Sequence, residues 1–235
     1  TRVMPEVPNL FSAVPRTPLE IRPVPGFLEK DAIGAYYNSG SADGSRPGVF
    51  YVNSYDLPSR TRPTTETLFL HEAIPGHHFQ SGLAKENESL PPFQRFGWNT
   101  AFIEGWALYA ESLGHELGMF QDPYQHFGHL ELEVFRALRL VVDTGLHAMN
   151  WSRSQAVDYM SSHCSLEESV IRTEVDRYVV WPGQALAYKW GQLAIRQIRA
   201  ESEQTLGETF DIREFHDQVL SSGIVPIPVL EAKVH

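Results

Sequence analysis

Cysteine is almost absent from this chain of 235 residues, and its scarcity excludes two kinds of structure. Cys164 is the single cysteine, so the chain has neither an internal disulfide framework nor a metal site built from several thiolates. Nothing beside it in the sequence marks an activated thiol, and we interpret Cys164 as a small core residue. A hydrophobic content of 42% and a charged content of 20% are typical of a globular protein.

Basic residues and long apolar runs are also scarce. The chain has 19 Lys and Arg against 29 Asp and Glu, a net charge of -10, which argues against nucleic acid as a partner. No stretch approaches the roughly 20 apolar residues of a membrane span, and no charged-then-apolar leader opens the chain. Because the first residue is Thr1, we expect an upstream segment to have been removed. The compartment stays open between the bacterial cytoplasm and export on a signal carried upstream.

The order of patterns along the chain predicts a mainly α, α+β fold with a small antiparallel β-sheet. Prolines recur through residues 1–30, which predicts an extended segment that wraps over a neighbour. The aromatic and β-branched runs "AIGAYYNSG" and "PGVFYVNSY" predict two strands joined by a loop. We expect residues 31–235 to form one folded unit.

From residue 64 onward the apolar residues recur at three- and four-residue spacing, which predicts helices. Ser152 and Asp211 are predicted to cap two of them, and the closing "GIVPIPVLE" is expected to be irregular. The predicted helices lie near residues 64–84, 93–118, 123–150, 153–162, 166–178, 182–204 and 211–221.

The stretch "TLFLHEAIPGHHFQ", residues 67–80, places three histidines and a glutamate in a helix that is otherwise apolar. Two histidines after Pro-Gly could simply end a helix. However, His71 and Glu72 follow the apolar "LFL", and burying a carboxylate beside an imidazole is costly unless both have a partner. A divalent cation is such a partner.

The spacing of the histidines leaves the second ligand open. A residue four positions after His71 would share its face, but that position is Pro75. Pro75 and Gly76 are residue types found at helix kinks. Two residues looped out there would bring His77 to the position of an ordinary second ligand, so we favour His77 and keep His78 as the alternative.

A third ligand is predicted in "TAFIEGWALYAESLG". Catalytic zinc takes three protein ligands and leaves one position open for water. Glu104 is an acidic residue inside an apolar helical stretch, and Glu111 lies seven positions later on the same face. An isolated helix glutamate is commonly a surface residue paired with arginine, but the upstream motif favours Glu104 as the ligand of one divalent ion. Glu111 is then expected to support the site or to pair with a basic residue.

The motifs "HEAIPGHHFQ", "EGWALYAE", "RLVVDTGLH" and "RYVVWPGQALAYKWG" resemble, in this order, the bacterial family catalogued as domain of unknown function 885. The matching blocks run from about "AYYNSG" to "FHDQVL". The resemblance implies a zincin-like, gluzincin-type metallopeptidase, with His71, His77 and Glu104 as zinc ligands and Glu72 as the base. It also implies a helical half ahead of this part, so that residues 31–235 would be the catalytic half of a longer protein.

Several polar residues could assist the chemistry. Arg139, Asp143 and His147 form a stripe at four-residue intervals on an apolar helix. It could be a ladder of salt bridges within the helix, but we favour an enclosed site in which Asp143 orients a ligand histidine and His147 donates to the substrate. By analogy with other zincins, Tyr188 is the second candidate for stabilising the oxyanion.

Four further residues are candidates for substrate binding. Tyr36 and Tyr37 lie on a strand whose edge could pair with an extended peptide. Arg177 could bind a substrate carboxylate, and Gln184 could donate a hydrogen bond. Tyrosines are abundant in cores, and the strand could be purely structural.

The leading hypothesis is therefore a zinc metallopeptidase that hydrolyses peptides or small amides, with Glu72 as general base. One alternative is a metal-dependent amidase or esterase that acts on a small metabolite. Another is a non-catalytic, metal-stabilised module that binds peptides.

Overall fold

A computed structural model describes residues 2–30, 34–55 and 62–234. The strands are β1 (Leu19–Pro23), β2 (Ala35–Asn38) and β3 (Gly48–Val52). The helices are α1 (Val7–Leu10), α2 (Thr65–Glu72), α3 (His77–Glu86), α4 (Pro92–Arg95), α5 (Thr100–Ser112), α6 (Pro123–Ala148), α7 (Arg153–His163), α8 (Glu168–Val180), α9 (Leu186–Leu206), α10 (Ile212–Leu220) and α11 (Ile227–Val234).

The predicted mainly helical fold with a small sheet is confirmed, and the sheet corrects one part of the prediction. β2 and β3 are antiparallel as expected. The sheet is nevertheless mixed, because β1 joins β3 in parallel and gives the strand order β1-β3-β2. β2 is therefore an edge strand. Sequence patterns did not predict β1, because Leu19–Pro23 is short and the prolines in and around it favour an irregular segment.

The proline-rich start of the chain packs into the core. Val3, Val7 and Phe11 are buried, and the Phe11 ring lies 5.4 Å from that of Phe79 in α3. The helical turn α1 lies within this segment, and its apolar residues join the largest core cluster, which also contains residues of α5, α9, α10 and α11.

Most predicted helices are present, with three corrections to the predicted elements. The helix predicted near residues 64–84 is broken into α2 and α3, and that predicted near 93–118 begins as the separate turn α4. The closing segment, expected to be irregular, contains α11, whose Ile227 and Leu230 are buried. The predicted caps are observed: Ser152 accepts a hydrogen bond from the amide of Gln155, and Asp211 accepts one from that of Arg213.

The crossing of α5 and α9 fixes the geometry of the interior. A Cβ on Gly105 would lie 2.5 Å from the carbonyl carbon of Gly191, and one on Gly191 would lie 2.0 Å from the Ala101 oxygen. The two backbones therefore touch in a way that only glycine allows at these positions. Glu104 precedes one glycine and Tyr188 lies three residues before the other, so this contact brings the two polar side chains to the same region.

Candidate metal centre

The break between α2 and α3 lies at the Pro-Gly pair. α2 ends at Glu72 and α3 begins at His77, with a cis peptide bond between Ile74 and Pro75. A Cβ on Gly76 would lie 1.8 Å from the carbonyl oxygen of His71, so this close approach requires glycine. The buried indole of Trp106 donates a hydrogen bond of 2.9 Å to the Pro75 oxygen and holds the turn against α5.

The turn brings His71 and His77 together beside Glu104. The His71 and His77 rings have centroids 4.8 Å apart and are nearly perpendicular. The Nε2 atom of each histidine lies 3.5 Å from Oε2 of Glu104. The three potential ligand atoms all lie within 4.8 Å of one another, as a shared metal ion would require.

One oxygen at this centre is buried without a hydrogen-bond partner. Oε2 of Glu104 faces both imidazoles but is hydrogen-bonded to none of the described groups. A buried carboxylate oxygen without a partner is costly, and a cation between these three side chains would satisfy it. Two nitrogens and one carboxylate oxygen suit a divalent transition metal.

A second layer of residues orients His71. Its Nδ1–H donates a hydrogen bond of 2.7 Å to Oε1 of Glu111, which also accepts one of 3.0 Å from Nη2 of Arg136. Because Nδ1 carries the proton in this bond, a neutral His71 presents the lone pair of Nε2 to the centre. Glu111 therefore has the supporting position that the sequence suggested.

The charges at the centre stabilise one another. Burial alone would lower the pKa of His71, but the Glu104 and Glu111 carboxylates raise it to about 10. Burial opposes ionisation of Glu104, yet His71 and His77 hold its pKa well below the usual range. Glu111 is likewise kept ionised against its burial by Arg136 and His71, which lower its pKa. A proton on His71 would compete with a metal ion.

A cavity of about 420 Å³ opens on this centre. It is lined by all three potential ligands and by Glu72, whose carboxylate makes no hydrogen bond or ion pair with the described residues. Of the residues predicted from sequence, Tyr36, Tyr37 and Tyr188 also line it. The tertiary structure therefore gathers residues from β2, α2, α3, α5 and α9 around one space.

Tyr188 is held in place by its neighbours. The Arg139 guanidinium carbon lies 4.4 Å from the centre of its ring, and the Gln184 amide donates a hydrogen bond of 3.3 Å to its hydroxyl. Burial, with the nearby Glu104 carboxylate, raises the pKa of Tyr188. The phenol consequently keeps its proton and can act as a hydrogen-bond donor.

Two histidine predictions are corrected. His78, the alternative ligand, turns away from the centre: its Nδ1 lies 3.0 Å from the Tyr37 hydroxyl, and burial lowers its pKa to about 4. His147, predicted to donate to substrate, donates instead to the Tyr178 carbonyl at 2.9 Å and does not line the cavity.

Three other predictions are corrected or changed. Asp143, expected to orient a ligand histidine, accepts two 3.1 Å hydrogen bonds from the Gly183 amide. Arg177, expected to bind a substrate carboxylate, pairs with Glu174 at 2.9 Å and also with the Gln184 side chain. Gln184 does not line the cavity, and its side-chain amide donates a hydrogen bond to the Tyr188 hydroxyl instead. The sequence correctly predicted that these polar residues contact other polar groups. It did not identify which groups those are.

Sequence patterns missed three cations. Arg136 lies three residues before Arg139 on the same apolar helix, which was a usable signal. Lys85 lies eight residues after His77 on α3, and Arg95 ends α4; both line the cavity. The four-residue spacing from His77 to Ser81 to Lys85 would have indicated a shared helix face.

With this mainly helical fold and its histidine–glutamate centre, the chain belongs to the family described as "Bacterial protein of unknown function (DUF885)", whose model matches residues 1–234. No curated protein gave a significant match.

Two solved structures share the fold. The "putative lipoprotein from Colwellia psychrerythraea" has 42% sequence identity and a TM-score of 0.95; the match covers 99% of this chain and 40% of that one. A second, described as "a putative lipoprotein of unknown function from Shewanella oneidensis", has 24% identity and a TM-score of 0.74, with coverage of 98% and 44%. This chain thus spans less than half the length of either relative. In the described parts of this chain, no helix combines the length and hydrophobicity needed to cross a bilayer.

Proposed function

We propose that this chain contains the catalytic centre of a zinc-dependent hydrolase that cleaves peptide bonds, with the ligand arrangement of a gluzincin-type zincin. The observation that carries the proposal is the buried Oε2 of Glu104, which has no hydrogen-bond partner among the described residues and faces Nε2 of both His71 and His77. The same cavity is lined by Glu72, whose carboxylate has no hydrogen bond or ion pair with the part of the chain that the structure describes.

The donor set fits zinc. In a tetrahedral site with bonds of about 2.0–2.1 Å, ligand atoms lie roughly 3.3 Å apart, close to the 3.5 Å between Glu104 and each histidine. His71, His77 and Glu104 would hold the ion and leave one position open. When bound, zinc supplies a Lewis acid that polarises a carbonyl group and makes water easier to deprotonate.

Glu72 is proposed as the general base. Its carboxylate would take a proton from the attacking water as the water oxygen bonds to the scissile carbonyl carbon. The same proton would then pass from Glu72 to the amide nitrogen as the C–N bond breaks, releasing an acid and an amine. This role needs a carboxylate that is not itself a ligand, which separates Glu72 from Glu104.

Tyr188 and the edge of β2 are proposed to position the substrate. The Tyr188 hydroxyl, fixed by Arg139 and Gln184, would donate a hydrogen bond to the carbonyl oxygen as negative charge develops. β2 has β3 on one side, and its other edge could add an extended peptide as a further strand. Tyr36 and Tyr37 on β2 would then contact the peptide.

The two alternatives remain distinct proposals. An amidase or esterase acting on a small metabolite would use the same ligands and base, and a cavity of about 420 Å³ could hold such a molecule. The other alternative is a non-catalytic, metal-stabilised module that binds peptides. It follows if turnover needs the rest of a longer protein, since this chain spans 40% of the Colwellia protein.

Both solved relatives carry the word lipoprotein in their descriptions, which supports export as the compartment.

The test compares Glu72→Gln with Glu88→Gln, a control at an exposed position. On a peptide library, Glu72→Gln should lower kcat by about 10²–10⁴-fold while stoichiometric zinc binding is unchanged, and the control should match wild type. Unchanged hydrolysis in Glu72→Gln would remove Glu72 as the base. Ester or small-amide turnover without peptide turnover would favour the first alternative, and zinc binding without any turnover the second.

A further inference from the structure

Two cations lie on the cavity wall away from the proposed zinc ligands. His77, Ser81 and Lys85 follow one another at four-residue intervals on α3, and all three line the cavity. The helical rise places the backbone of Lys85 about 12 Å along the axis from that of His77. Arg95, the last residue of α4, lines the same cavity.

Both cations are held by neutral acceptors. Nζ of Lys85 donates to the Ser39 hydroxyl and, at 3.1 Å, to the Gly40 carbonyl. The carbonyl oxygen of Lys85 accepts two hydrogen bonds from Arg95, one from Nε at 3.1 Å and one from Nη2. The two cationic residues are therefore fixed next to each other by backbone and hydroxyl oxygens.

Neither cation has a carboxylate partner within the described ranges. The ion pairs there use other basic residues, as when Arg177 pairs with Glu174 and Lys189 with Glu133. This is notable because acidic residues outnumber basic ones by 29 to 19. Holding partly buried positive charges together without an anion is unfavourable, and burial together with Arg46 lowers the pKa of Lys85.

Hydrogen-bond donors remain for a ligand. An ammonium group has three N–H donors and a guanidinium group has five. Each residue uses two of its donors in the bonds described above, so one N–H on Lys85 and three on Arg95 remain to donate to a ligand. A planar guanidinium beside an ammonium suits a carboxylate, which can accept from both.

We propose that Lys85 and Arg95 form a carboxylate-binding subsite, so that the substrate is a short peptide with a free carboxylate about three residues from the scissile bond. This rests on the proposed function. The length follows from the 12 Å helical separation and a span of about 3.3–3.6 Å per extended residue. The carboxylate is either the C-terminal one or an Asp or Glu side chain, and the two sources share the same chemistry.

The experiment uses three internally quenched peptides of one sequence on the zinc-loaded protein: a free C-terminal acid, its C-terminal amide, and the amide with Asp at the third residue after the scissile bond. We expect the acid to exceed the amide in kcat/KM by about tenfold or more if the C-terminus is recognised. If a side chain is recognised, the Asp-containing amide recovers the rate instead.

Lys85→Met and Arg95→Met should erase this preference. KM for the preferred peptide should rise by about tenfold or more with kcat within about twofold, and the plain amide should be unaffected. Lys30→Met and Arg196→Met are controls that remove the same charge from exposed positions. Arg95→Lys keeps the charge and should retain part of the preference, and thermal unfolding of each variant verifies folding.

Equal turnover of all three peptides by wild type, or an equal loss on acid and amide in Lys85→Met, would overturn the subsite. Its failure can be told apart from failure of the proposed function by binding alone. Calorimetry with trialanine and trialanine amide on Glu72→Gln, with and without Lys85→Met, tests the subsite even where no bond is cleaved. The amide of Ala-Ala-Asp is included as a third peptide. Binding of the acid or of the Asp-containing amide that exceeds binding of trialanine amide and depends on Lys85 supports the subsite, and equal binding of all three peptides contradicts it.

Discussion

Oε1 of Glu111 lies 2.7 Å from Nδ1 of His71 and 3.0 Å from Nη2 of Arg136, so a fully buried carboxylate joins an imidazole of the candidate metal centre to a buried arginine. This pairing fixes the ring orientation and the tautomer of His71. It also explains why a glutamate outside the group of potential ligands lies inside the apolar helix α5.

We predict that Glu111→Gln weakens zinc binding by about 10–100-fold, because the amide accepts less strongly from His71 and makes the ligand less basic. Competition against a metal chelator measures the Kd. Glu116→Gln, an exposed change nearby in sequence, should leave the Kd unchanged. An unchanged Kd in Glu111→Gln would show that this carboxylate does not tune the ligand.

The choice between the two adjacent histidines gives a second prediction. Zinc at about 100 times its Kd should stabilise wild type by about 2.7 kcal/mol and raise the Tm. His77→Ala should abolish this rise. His78→Ala should lower the starting Tm, since it removes a buried ring and its contact with the Tyr37 hydroxyl, but should retain the rise. The opposite pattern would make His78 the ligand.

Close packing of α5 on α9 gives a third prediction. Gly105→Ala should destabilise the protein by about 1–3 kcal/mol, because the added Cβ would meet the Gly191 backbone at 2.5 Å. It should also weaken zinc binding, since the helices that carry Glu104 and Tyr188 are forced apart. Gly26→Ala, where a Cβ meets nothing within 4 Å, is the control in chemical denaturation. Wild-type stability in Gly105→Ala would contradict the packing argument.

His216 gives a pH prediction away from the metal centre. Burial lowers its pKa to about 4, although its bond to the Leu10 carbonyl opposes this. The unfolded chain, with an ordinary pKa of about 6.5, takes up the proton first, so stability is lost as pH falls from about 6.5 to 4. The loss is about 3 kcal/mol.

The free energy of unfolding of His216→Gln should therefore fall less between pH 7 and pH 4 than that of wild type. His163→Gln, at an exposed position, should follow the wild-type curve. Equal slopes for wild type and His216→Gln would mean that His216 does not stay neutral in the folded protein.

Tyr188→Phe tests the proposed oxyanion donor. Removing one such hydroxyl should lower kcat by about 10²–10³-fold with little change in KM, because the hydrogen bond strengthens only as the carbonyl oxygen becomes negative. Tyr159→Phe, in α7, is a matched control, because Tyr159 does not line the cavity. A rise in KM at constant kcat would instead assign Tyr188 to substrate binding.

Local sequence patterns by themselves predicted most of the helices and the antiparallel pairing of β2 with β3. They also pointed to His71, Glu104 and one of two adjacent histidines as a group, and the structure brings His77 to the other two. These follow from short-range physics: apolar periodicity, caps such as Ser152, and polar residues in apolar helices that require a partner. A Pro-Gly pair between two histidines also indicated a break, and its local geometry brings His77 round to His71.

Only the tertiary structure decided which partners the other polar residues have. Asp143, His147 and Arg177 looked like site residues because they lie in apolar helices, yet Gly183, Tyr178 and Glu174 satisfy them. The parallel strand β1 and the position of Arg95 at the cavity were likewise not visible, since each depends on contacts between segments distant in sequence. The apolar periodicity of a sequence indicates which side chains are buried. The way the helices cross decides which polar groups those side chains contact.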